Sequence, residues 1–186
     1  MTRIIAGSAG GRSLRTPPGS GTRPTSDRVR EAIFSALEAR DALAGVRALD
    51  LYAGSGALGL EAASRGAASV LLVESDARAA SVIRDNIAAL DLPAGRVQRT
   101  TVVAALAAGP PEGPVGLALL DPPYSLGEED LALVLQHLAD RWLTDDALVV
   151  VERSTRSPEP SWPHALERLA KGRRYGDTTV WFAELA

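Results

Sequence analysis

Short apolar segments of strand length alternate with helical segments along most of this chain, from residue 47 onward. The predicted strands lie at residues 48–52, 69–74, 115–121 and 147–152, with a weaker one near 96–100. The predicted helices between them lie near residues 57–65, 79–90 and 128–139. A strand that is apolar at almost every position is buried on both faces, and a parallel sheet covered by helices provides that burial. The alternation therefore predicts an α/β fold with a mostly parallel, doubly wound sheet.

The two ends of the chain depart from this alternation. Residues 165–171 and 178–184 bracket a turn at 172–176, which predicts an antiparallel hairpin that closes the sheet. The first 24 residues are rich in Gly, Pro and Arg and predict a small β-hairpin followed by a linker. Ser26 and Asp27 then supply capping groups for a helix of about 13 residues. We therefore expect a basic arm over residues 1–24 and one main domain over residues 25–186.

Composition excludes several classes of site. The 186 residues include no cysteine, which rules out disulfides, cysteine-ligated zinc and a cysteine nucleophile. Two histidines, His137 and His164, are too few for a histidine-rich metal centre, so no metal is expected. The chain also lacks a signal-peptide pattern and any apolar stretch of the roughly 20 residues that span a bilayer. We expect a cytoplasmic protein that has no membrane partner.

Charge is distributed unevenly along the chain. The net charge is −3, yet the first 30 residues contain six arginines and one aspartate, a local charge of +5. The remaining residues therefore carry −8. A basic arm on an acidic body predicts that the arm contacts a polyanion, because the field of the body alone would repel one. The alternative is a solvated tail in a chain that uses arginine in place of lysine.

A glycine-rich loop follows the first predicted core strand and opens a helix. Gly54 and Gly56, with Ser55 between them, let the backbone turn sharply and approach a ligand closely. Glu74 lies 20 residues after Gly54 at the end of the next strand, where a carboxylate can bind both hydroxyls of a ribose. Asp50, just before the glycines, would repel a pyrophosphate but suits the cationic amino group of S-adenosylmethionine. The loop favours that cofactor, and a nicotinamide-dependent dehydrogenase is the alternative.

The sequence Asp121-Pro122-Pro123-Tyr124 follows a buried strand, at the sheet edge where open α/β sheets bind ligands. An exocyclic amino group on a base is a poor nucleophile because its lone pair is delocalised into the ring. The Asp121 carboxylate and the Pro122 carbonyl can accept its two N–H bonds and so free the lone pair. Tyr124 offers a face on which an unpaired base can stack. These residues predict methylation of an amino group on a nucleic-acid base.

Four motifs together characterise this chain: Arg3–Gly7, Arg23–Glu31, Leu49–Gly66 and Asp121–Tyr124. On these motifs the whole chain resembles the RsmD family of bacterial 16S ribosomal RNA guanine-N2 methyltransferases. It implies a Rossmann-like methyltransferase fold, S-adenosylmethionine as donor, and guanine 966 of 16S rRNA in the small ribosomal subunit as target. By position, it implies that Asp50, Gly54 and Gly56 line the methionine end of the cofactor and Glu74 the ribose. It likewise implies that Asp121, Pro122 and Tyr124 hold the guanine amino group.

With RNA as the implied polyanion, the arginines of the arm and the following helix become candidate phosphate contacts. We expect such contacts at Arg12, Arg15, Arg23, Arg28 and Arg30. For the Arg23–Glu31 motif an alternative stays open, in which Arg28 pairs with Asp27 or Glu31 and only holds the helix against the rest of the protein.

One segment departs from the pattern of related enzymes. Many of them place Asp or Asn after the third strand to bind the adenine amino group, whereas this chain has Thr101 and Val102 there. The Thr101 hydroxyl can accept a hydrogen bond, and the Val102 backbone can contact the ring.

Two alternatives to an rRNA methyltransferase remain, a DNA adenine-N6 or cytosine-N4 methyltransferase and a non-catalytic RNA-binding assembly factor. We expect a monomer.

Overall fold

The computed structural model describes residues 2–19 and 26–186. Within these ranges the helices are α1 (Asp27–Glu38), α2 (Ala57–Ser64), α3 (Ala77–Leu90), α4 (Val102–Ala108) and α5 (Glu128–Arg141). The strands are β1 (Thr2–Arg3), β2 (Ser13–Leu14), β3 (Arg47–Leu51), β4 (Ser69–Glu74), β5 (Gly95–Arg99), β6 (Val115–Leu120), β7 (Leu143–Ser154), β8 (Leu166–Arg168), β9 (Arg173–Tyr175) and β10 (Thr178–Leu185). None of these helices is long and apolar enough to cross a membrane.

The main sheet has the strand order β5-β4-β3-β6-β7-β10-β8, and β9 pairs with β10. The strands from β5 to β7 are parallel, and β10 is antiparallel to β7 and β8. Strand order reverses beside β3, which lies between β4 and β6. In open α/β sheets the crevice at such a switch point, at the carboxyl ends of the strands, is where ligands bind.

Helices cover both faces of the sheet. Along β6, Leu117 and Leu119 pack in the core on the side of α1, α2 and α3, whereas Ala118 and Leu120 pack on the side of α4 and α5. This alternation follows from the two-residue period of a strand. The predicted doubly wound, mostly parallel sheet is confirmed, and the Rossmann-like fold with it.

Helix α4 was not predicted from the sequence. It begins after Thr101, whose hydroxyl accepts a hydrogen bond from the Ala104 backbone N–H at 3.2 Å. Its first residues, Val102 and Val103, are β-branched and favour strands, and its seven residues are too few to show a helical period. The helix is fixed by burial instead, because Val102, Ala105 and Leu106 belong to the core on this face.

The end of the chain forms the antiparallel pair that the sequence predicts, but in a different register. Strand β10 pairs with β8 and also inserts between β8 and β7. The predicted turn at 172–176 contains β9, and the turn between β9 and β10 is Gly176–Asp177, with a φ of 58° at Gly176. Gly172 lies so close to β10 that a Cβ there would be 2.7 Å from Cγ2 of Thr179. Because Gly172 has no side chain, the chain can pass this close to β10 and then pair with it again as β9.

The predicted arm forms a two-stranded hairpin, β1–β2, that packs on the body. Ile4, Ala9 and Leu14 are buried in the core on the α1–α3 side. The side chain of Asn86 on α3 holds the arm by accepting from the Arg15 N–H at 2.9 Å and donating to the Arg15 carbonyl at 3.0 Å. Most of the predicted linker, including Arg23, lies outside the described residues.

Candidate active site

A cavity of about 670 Å³ opens at the carboxyl ends of β3, β4, β6 and β7. This volume is within the roughly 300–1,000 Å³ of small-molecule sites. The loops after β3, β4, β5 and β6 and the last residues of β7 all contribute to its wall. The lining residues include Tyr52, Gly54, Glu74, Thr101, Val102, Asp121, Pro122, Tyr124, Glu152 and Arg153. The cavity therefore joins the predicted cofactor residues to the predicted catalytic turn.

The glycine loop between β3 and α2 has two glycines with different tasks. Gly54 has a φ of 59° and lines the cavity. Gly56, with a φ of 82°, precedes α2 and is buried, and a Cβ on it would be 3.2 Å from the side chains of Ile83 and Leu60. Ser55 and Gly56 were both expected at the cofactor, but the cavity lining does not include them. Gly56 instead allows the close packing of α2 against the sheet.

Glu74 is the last residue of β4, and its carboxylate binds the backbone of the glycine loop. Its Oε2 accepts the Gly54 N–H at 2.7 Å, and its Oε1 accepts the Asp76 N–H at 2.8 Å. A carboxylate oxygen has further acceptor capacity beyond one hydrogen bond. The side chain is thus fixed by the backbone of two loops and can still accept hydroxyl hydrogens from the cavity side.

Asp50 lies beneath the glycine loop and is only 1 % exposed. Its Oδ2 accepts the Gly59 N–H at 2.8 Å in the first turn of α2. Gly59 is needed there because a Cβ would be 2.9 Å from that oxygen. This placement corrects the expectation that Asp50 contacts the methionine end of the cofactor, because its side chain faces α2 and does not line the cavity.

Burial raises the pKa of Asp50 to about 8; the nearby Asp121 and Glu74 carboxylates also raise it, against the lowering effect of the Gly59 hydrogen bond. The folded protein therefore holds a proton on Asp50 at pH values where the unfolded chain has lost it.

We expect the free energy of unfolding to fall as pH rises from about 4 to about 8, by up to about 1.4 kcal/mol per pH unit from this group. Above the folded pKa both states are ionised and the slope vanishes. Asp50→Asn, which keeps an oxygen for the Gly59 N–H, should flatten the curve. Urea unfolding at a series of pH values checks this, and equal slopes for the two proteins would contradict the assignment.

The Asp121–Tyr124 turn leaves the end of β6 at the cavity wall. Asp121 is half-buried and Pro122 is buried, while Tyr124 is 66 % exposed with its side chain at the cavity. The Leu126 N–H donates to the Pro123 carbonyl at 3.0 Å and closes the turn before α5. An acid, a rigid carbonyl and an accessible aromatic ring thus lie together at the cavity.

Sequence reasoning missed Arg153, which fastens this turn to β7. The side chain is buried, and its Nη2 donates to the Leu126 carbonyl at 3.1 Å and to Oε1 of Glu128. The strand predicted over residues 147–152 ends just before it. An arginine directly after an apolar strand was the available signal, because a cation buried there needs a carboxylate partner.

Tyr52 is the second missed residue. It lines the cavity with a φ of 62°, which is rare for a bulky side chain and concentrates at functional sites. The pKa of Tyr52 is raised to about 12, mainly by burial and also by the nearby Asp130, while Arg153 acts in the opposite direction. The phenol is therefore neutral and can donate its hydrogen at physiological pH.

Arg30 was expected to contact phosphates, and the structure corrects this. Its side chain is fully buried, with Nη2 donating to the Arg3 carbonyl at 2.7 Å and to Oδ1 of Asp27 at 2.6 Å. Arg30 is therefore the residue that holds α1 against the arm. Arg28, which the sequence offered for that role as an alternative, is exposed.

Of the arm residues, Arg12 donates to the carbonyls of Leu90, at 3.1 Å, and Ala89, at the C-terminus of α3. Its charge is thus engaged with the helix end and not directed at solvent alone. Arg15 differs, because its side chain is 75 % exposed and lies 3.9 Å from Asp85. Arg15 and Arg28 are the predicted phosphate contacts whose side chains are available, and Arg23 lies outside the described residues.

The family model described as "Conserved hypothetical protein 95" matches residues 2–184. The chain is 38 % identical to "Ribosomal RNA small subunit methyltransferase D" of Escherichia coli K12, over 87 % of this chain and 79 % of that protein. The chain belongs to the RsmD family. It is also 38 % identical to "Putative rRNA methyltransferase YlbH" of Bacillus subtilis, over 96 % of each protein.

Solved structures agree with this assignment. The E. coli structure "Putative methyltransferase yhhF" superposes with a TM-score of 0.85 at 32 % identity and covers 98 % of this chain and 97 % of its own. A "putative sam-dependent methyltransferase" from Streptococcus mutans matches with a TM-score of 0.72 at 13 % identity, which concerns the fold alone. The RsmD family and the methyltransferase fold are thereby established for this chain, as its motifs predicted.

Proposed function

We propose that this protein transfers a methyl group from S-adenosylmethionine to the exocyclic N2 amino group of a guanine in 16S rRNA. The observation that carries this proposal is one cavity that contains Gly54 and Glu74 on one side and Asp121, Pro122 and Tyr124 on the other. The name of the E. coli relative, a small-subunit rRNA methyltransferase, supports rRNA as the substrate class. Guanine 966 in an assembled or partly assembled small subunit is the specific target that we propose.

The residues of the cavity fit S-adenosylmethionine. Gly54 presents backbone without a side chain, and a Cβ there would meet only the Tyr52 carbonyl at 4.0 Å. The Glu74 carboxylate would bind the ribose hydroxyls, and Thr101 and Val102, which also line the cavity, would contact the adenine ring. The Asp121 and Glu74 carboxylates also suit a cationic cofactor. When bound, that cofactor supplies an electrophilic methyl group.

The protein residues then act on the acceptor. The Asp121 carboxylate and the Pro122 carbonyl accept the two amino hydrogens, which favours a pyramidal nitrogen with a free lone pair. The ring of Tyr124 stacks on the base, an interaction worth about 1–3 kcal/mol in comparable complexes. Because proline has a fixed φ, the turn holds its carbonyl rigidly. Positioning supplies most of the catalysis, as in other reactions with a bound reactive partner.

The remaining parts of the proposal concern context. Arg15 on the arm and Arg28 on α1 are exposed and are the proposed phosphate contacts. Residues 1–24 would act as an RNA-contacting arm and residues 25–186 as the methyltransferase domain. A protein that modifies ribosomal subunits works in the cytoplasm, and we propose a monomer that needs no metal.

The direct test is incubation of the protein with radiolabelled S-adenosylmethionine and small ribosomal subunits from a strain that lacks its own enzyme. Digestion to nucleosides should show label in N2-methylguanosine, and deproteinised 16S rRNA in parallel separates free RNA from the assembled substrate. Duplex DNA is the third substrate. Label in N6-methyladenine or N4-methylcytosine would replace the proposal with a DNA methyltransferase, and no label in any sample would favour a non-catalytic factor.

Arg153 gives a prediction about this chemistry. Arg153→Met removes the bonds from β7 to Leu126 and Glu128 and lets the catalytic turn move. We expect the rate of methyl transfer to fall by about tenfold to a hundredfold, since small misplacements of reacting groups cost this much. The measurement is single-turnover methylation beside cofactor titration calorimetry. A variant with normal single-turnover rate would show that the turn needs no such support.

A further inference from the structure

A shallow apolar groove with a basic rim lies between α1 and the strands β9 and β10. Its floor includes Ile33, Val180 and Phe182, and Lys171 and Arg173 stand on the β9 side. We call it the α1–β10 groove. Its enclosed volume is about 70 Å³, far below the roughly 300–1,000 Å³ of sites that hold a small molecule. The groove is therefore too small to enclose a small molecule, and a ligand there would have to lie along the surface.

One strand, β10, lines both the α1–β10 groove and the active-site cavity. Thr178, the first residue of β10, lines the cavity, whereas Val180 and Phe182 line the groove. Side chains two residues apart on a strand share one face, so these three form a single row. The row extends about 13 Å away from Thr178 at the usual rise of a strand.

Helix α1 supplies the opposite wall. Arg28, Ala32 and Ala36 recur every four residues and so lie along one side of α1, and Arg40 follows two residues after the helix ends. Ala32, Ala36 and Arg40 line the groove. Arg40 also lines a recess with Arg47 at the amino ends of the parallel strands. The N-terminus of α1 therefore points toward the carboxyl ends, where the cavity lies. Arg28 is thus near the cavity end of α1, Arg40 is at the far end, and the two alanines between them leave room.

The rim carries cations without local partners. Lys171 and Arg173 are exposed, and no carboxylate of the described residues lies within 4 Å of their charged atoms. The body beyond residue 30 carries a net charge of −8, so an unpaired basic cluster at this place is not a general property of its surface. Tyr175, on the same strand as Arg173, adds an aromatic ring to the groove. Cations that follow a groove with an aromatic ring are the features of single-stranded RNA binding.

We propose that the α1–β10 groove binds the RNA strand next to the target nucleotide, with phosphates on Lys171, Arg173, Arg28 and Arg40. This inference rests on the proposed function and extends it by naming the path of the substrate. RNA would then contact the protein on two sides of the cavity, because the arm lies against α2 and α3 and the groove lies beyond α1.

The test is the double variant Lys171→Ala/Arg173→Ala, compared with the control Arg84→Ala/Arg96→Ala. The control removes two exposed arginines on α3 and β5, away from the groove. Binding of small ribosomal subunits is measured by filter retention at several KCl concentrations, and methylation kinetics are measured in parallel. We expect the double variant to bind roughly tenfold more weakly at moderate salt, with a salt slope lower by about 1.4, which is two phosphate contacts on a single strand.

The KM for subunits should rise by the same factor, with kcat and cofactor affinity unchanged, and the control should behave as wild type. If the double variant keeps the wild-type affinity and salt slope, the groove does not bind RNA, whatever the methylation assay shows. If wild-type protein methylates no subunits, the proposed function fails, and the filter assay still decides on the groove. Equal weakening in the control would also overturn the proposal, because it would indicate a general charge effect.

Discussion

Asp121→Ala is expected to lower the rate of methyl transfer by about two to three orders of magnitude, the usual cost of losing one preorganised group that stabilises a transition state. Asp121 lies at the end of β6 on the cavity wall, where its carboxylate would accept an amino hydrogen of the base. Cofactor binding should change little, because Gly54 and Glu74 are held by their own hydrogen bonds. Single-turnover methylation of small subunits and calorimetric titration of S-adenosylmethionine measure the two effects separately.

The matched control for this variant is Glu129→Ala, which removes an exposed carboxylate from the first turn of α5. It should methylate at the wild-type rate. Asp121→Asn keeps one acceptor oxygen and should retain more activity than the alanine variant. An equal loss of cofactor affinity and of rate in Asp121→Ala would contradict the role in acceptor activation and assign Asp121 to the cofactor.

The largest expected effect on stability comes from Glu61. This fully buried carboxylate accepts the N–H groups of Ile5 and Ala6 at 2.9 and 3.1 Å and Nε of Arg65 at 2.8 Å, and it lies 4.0 Å from Nη1 of Arg30. Glu61→Ala would leave two arginines buried without it. Loss of one partner of a buried ion pair costs about 3–5 kcal/mol. We expect Tm to fall by about 6–20 °C, at roughly 2–4 °C per kcal/mol for a domain of this size.

Glu38→Ala is the control for Glu61, because both carboxylates bind Arg65 but Glu38 lies at the surface and, within the described residues, makes none of the contacts that Glu61 makes with the arm. Glu38 is 53 % exposed and lies 3.1 Å from Nη1 of Arg65. An exposed pair contributes at most about 1 kcal/mol, so Tm should hardly move. Glu61→Ala should also expose the arm to trypsin at Arg12 and Arg15, whereas Glu38→Ala should not. Similar Tm losses in both variants would show that burial of the pair is not the cause.

Patterns that involve residues close together in sequence, such as apolar runs and helix caps, predicted the fold well. The apolar run Ser69–Glu74 is β4 without any change of bounds, and Ser26 caps α1 by accepting the Val29 N–H at 3.3 Å. Apolar periods and capping groups act within a few residues of one another, so the sequence displays them directly. The glycine loop, the acid at the end of the second strand and the Asp121–Tyr124 turn predicted the cavity residues Gly54, Glu74 and Asp121, which the fold brings to one cavity.

The errors concern groups whose surroundings come from distant parts of the chain. Arg28 and Arg30 have the same neighbours in sequence, yet Arg30 is buried because the Arg3 carbonyl and Glu61 approach it from elsewhere. Asp50 illustrates a signal that was available. Leu49 and Leu51 pack under α4 and α5, so the alternation of β3 directs Asp50 to the other face, beneath α2.

Asn86 has a consequence for protein engineering. Besides binding the backbone of Arg15, its Nδ2 donates to the Ser55 carbonyl in the glycine loop at 3.2 Å. One side chain thus fixes both the arm and the loop that would hold the cofactor. An arm exchanged between enzymes, to redirect methylation to another nucleotide, would therefore need an asparagine and a buried glutamate in the recipient helices. The arm is not an independent module, and chimaeras that ignore these two anchors would lose order at the cofactor loop as well as in the arm.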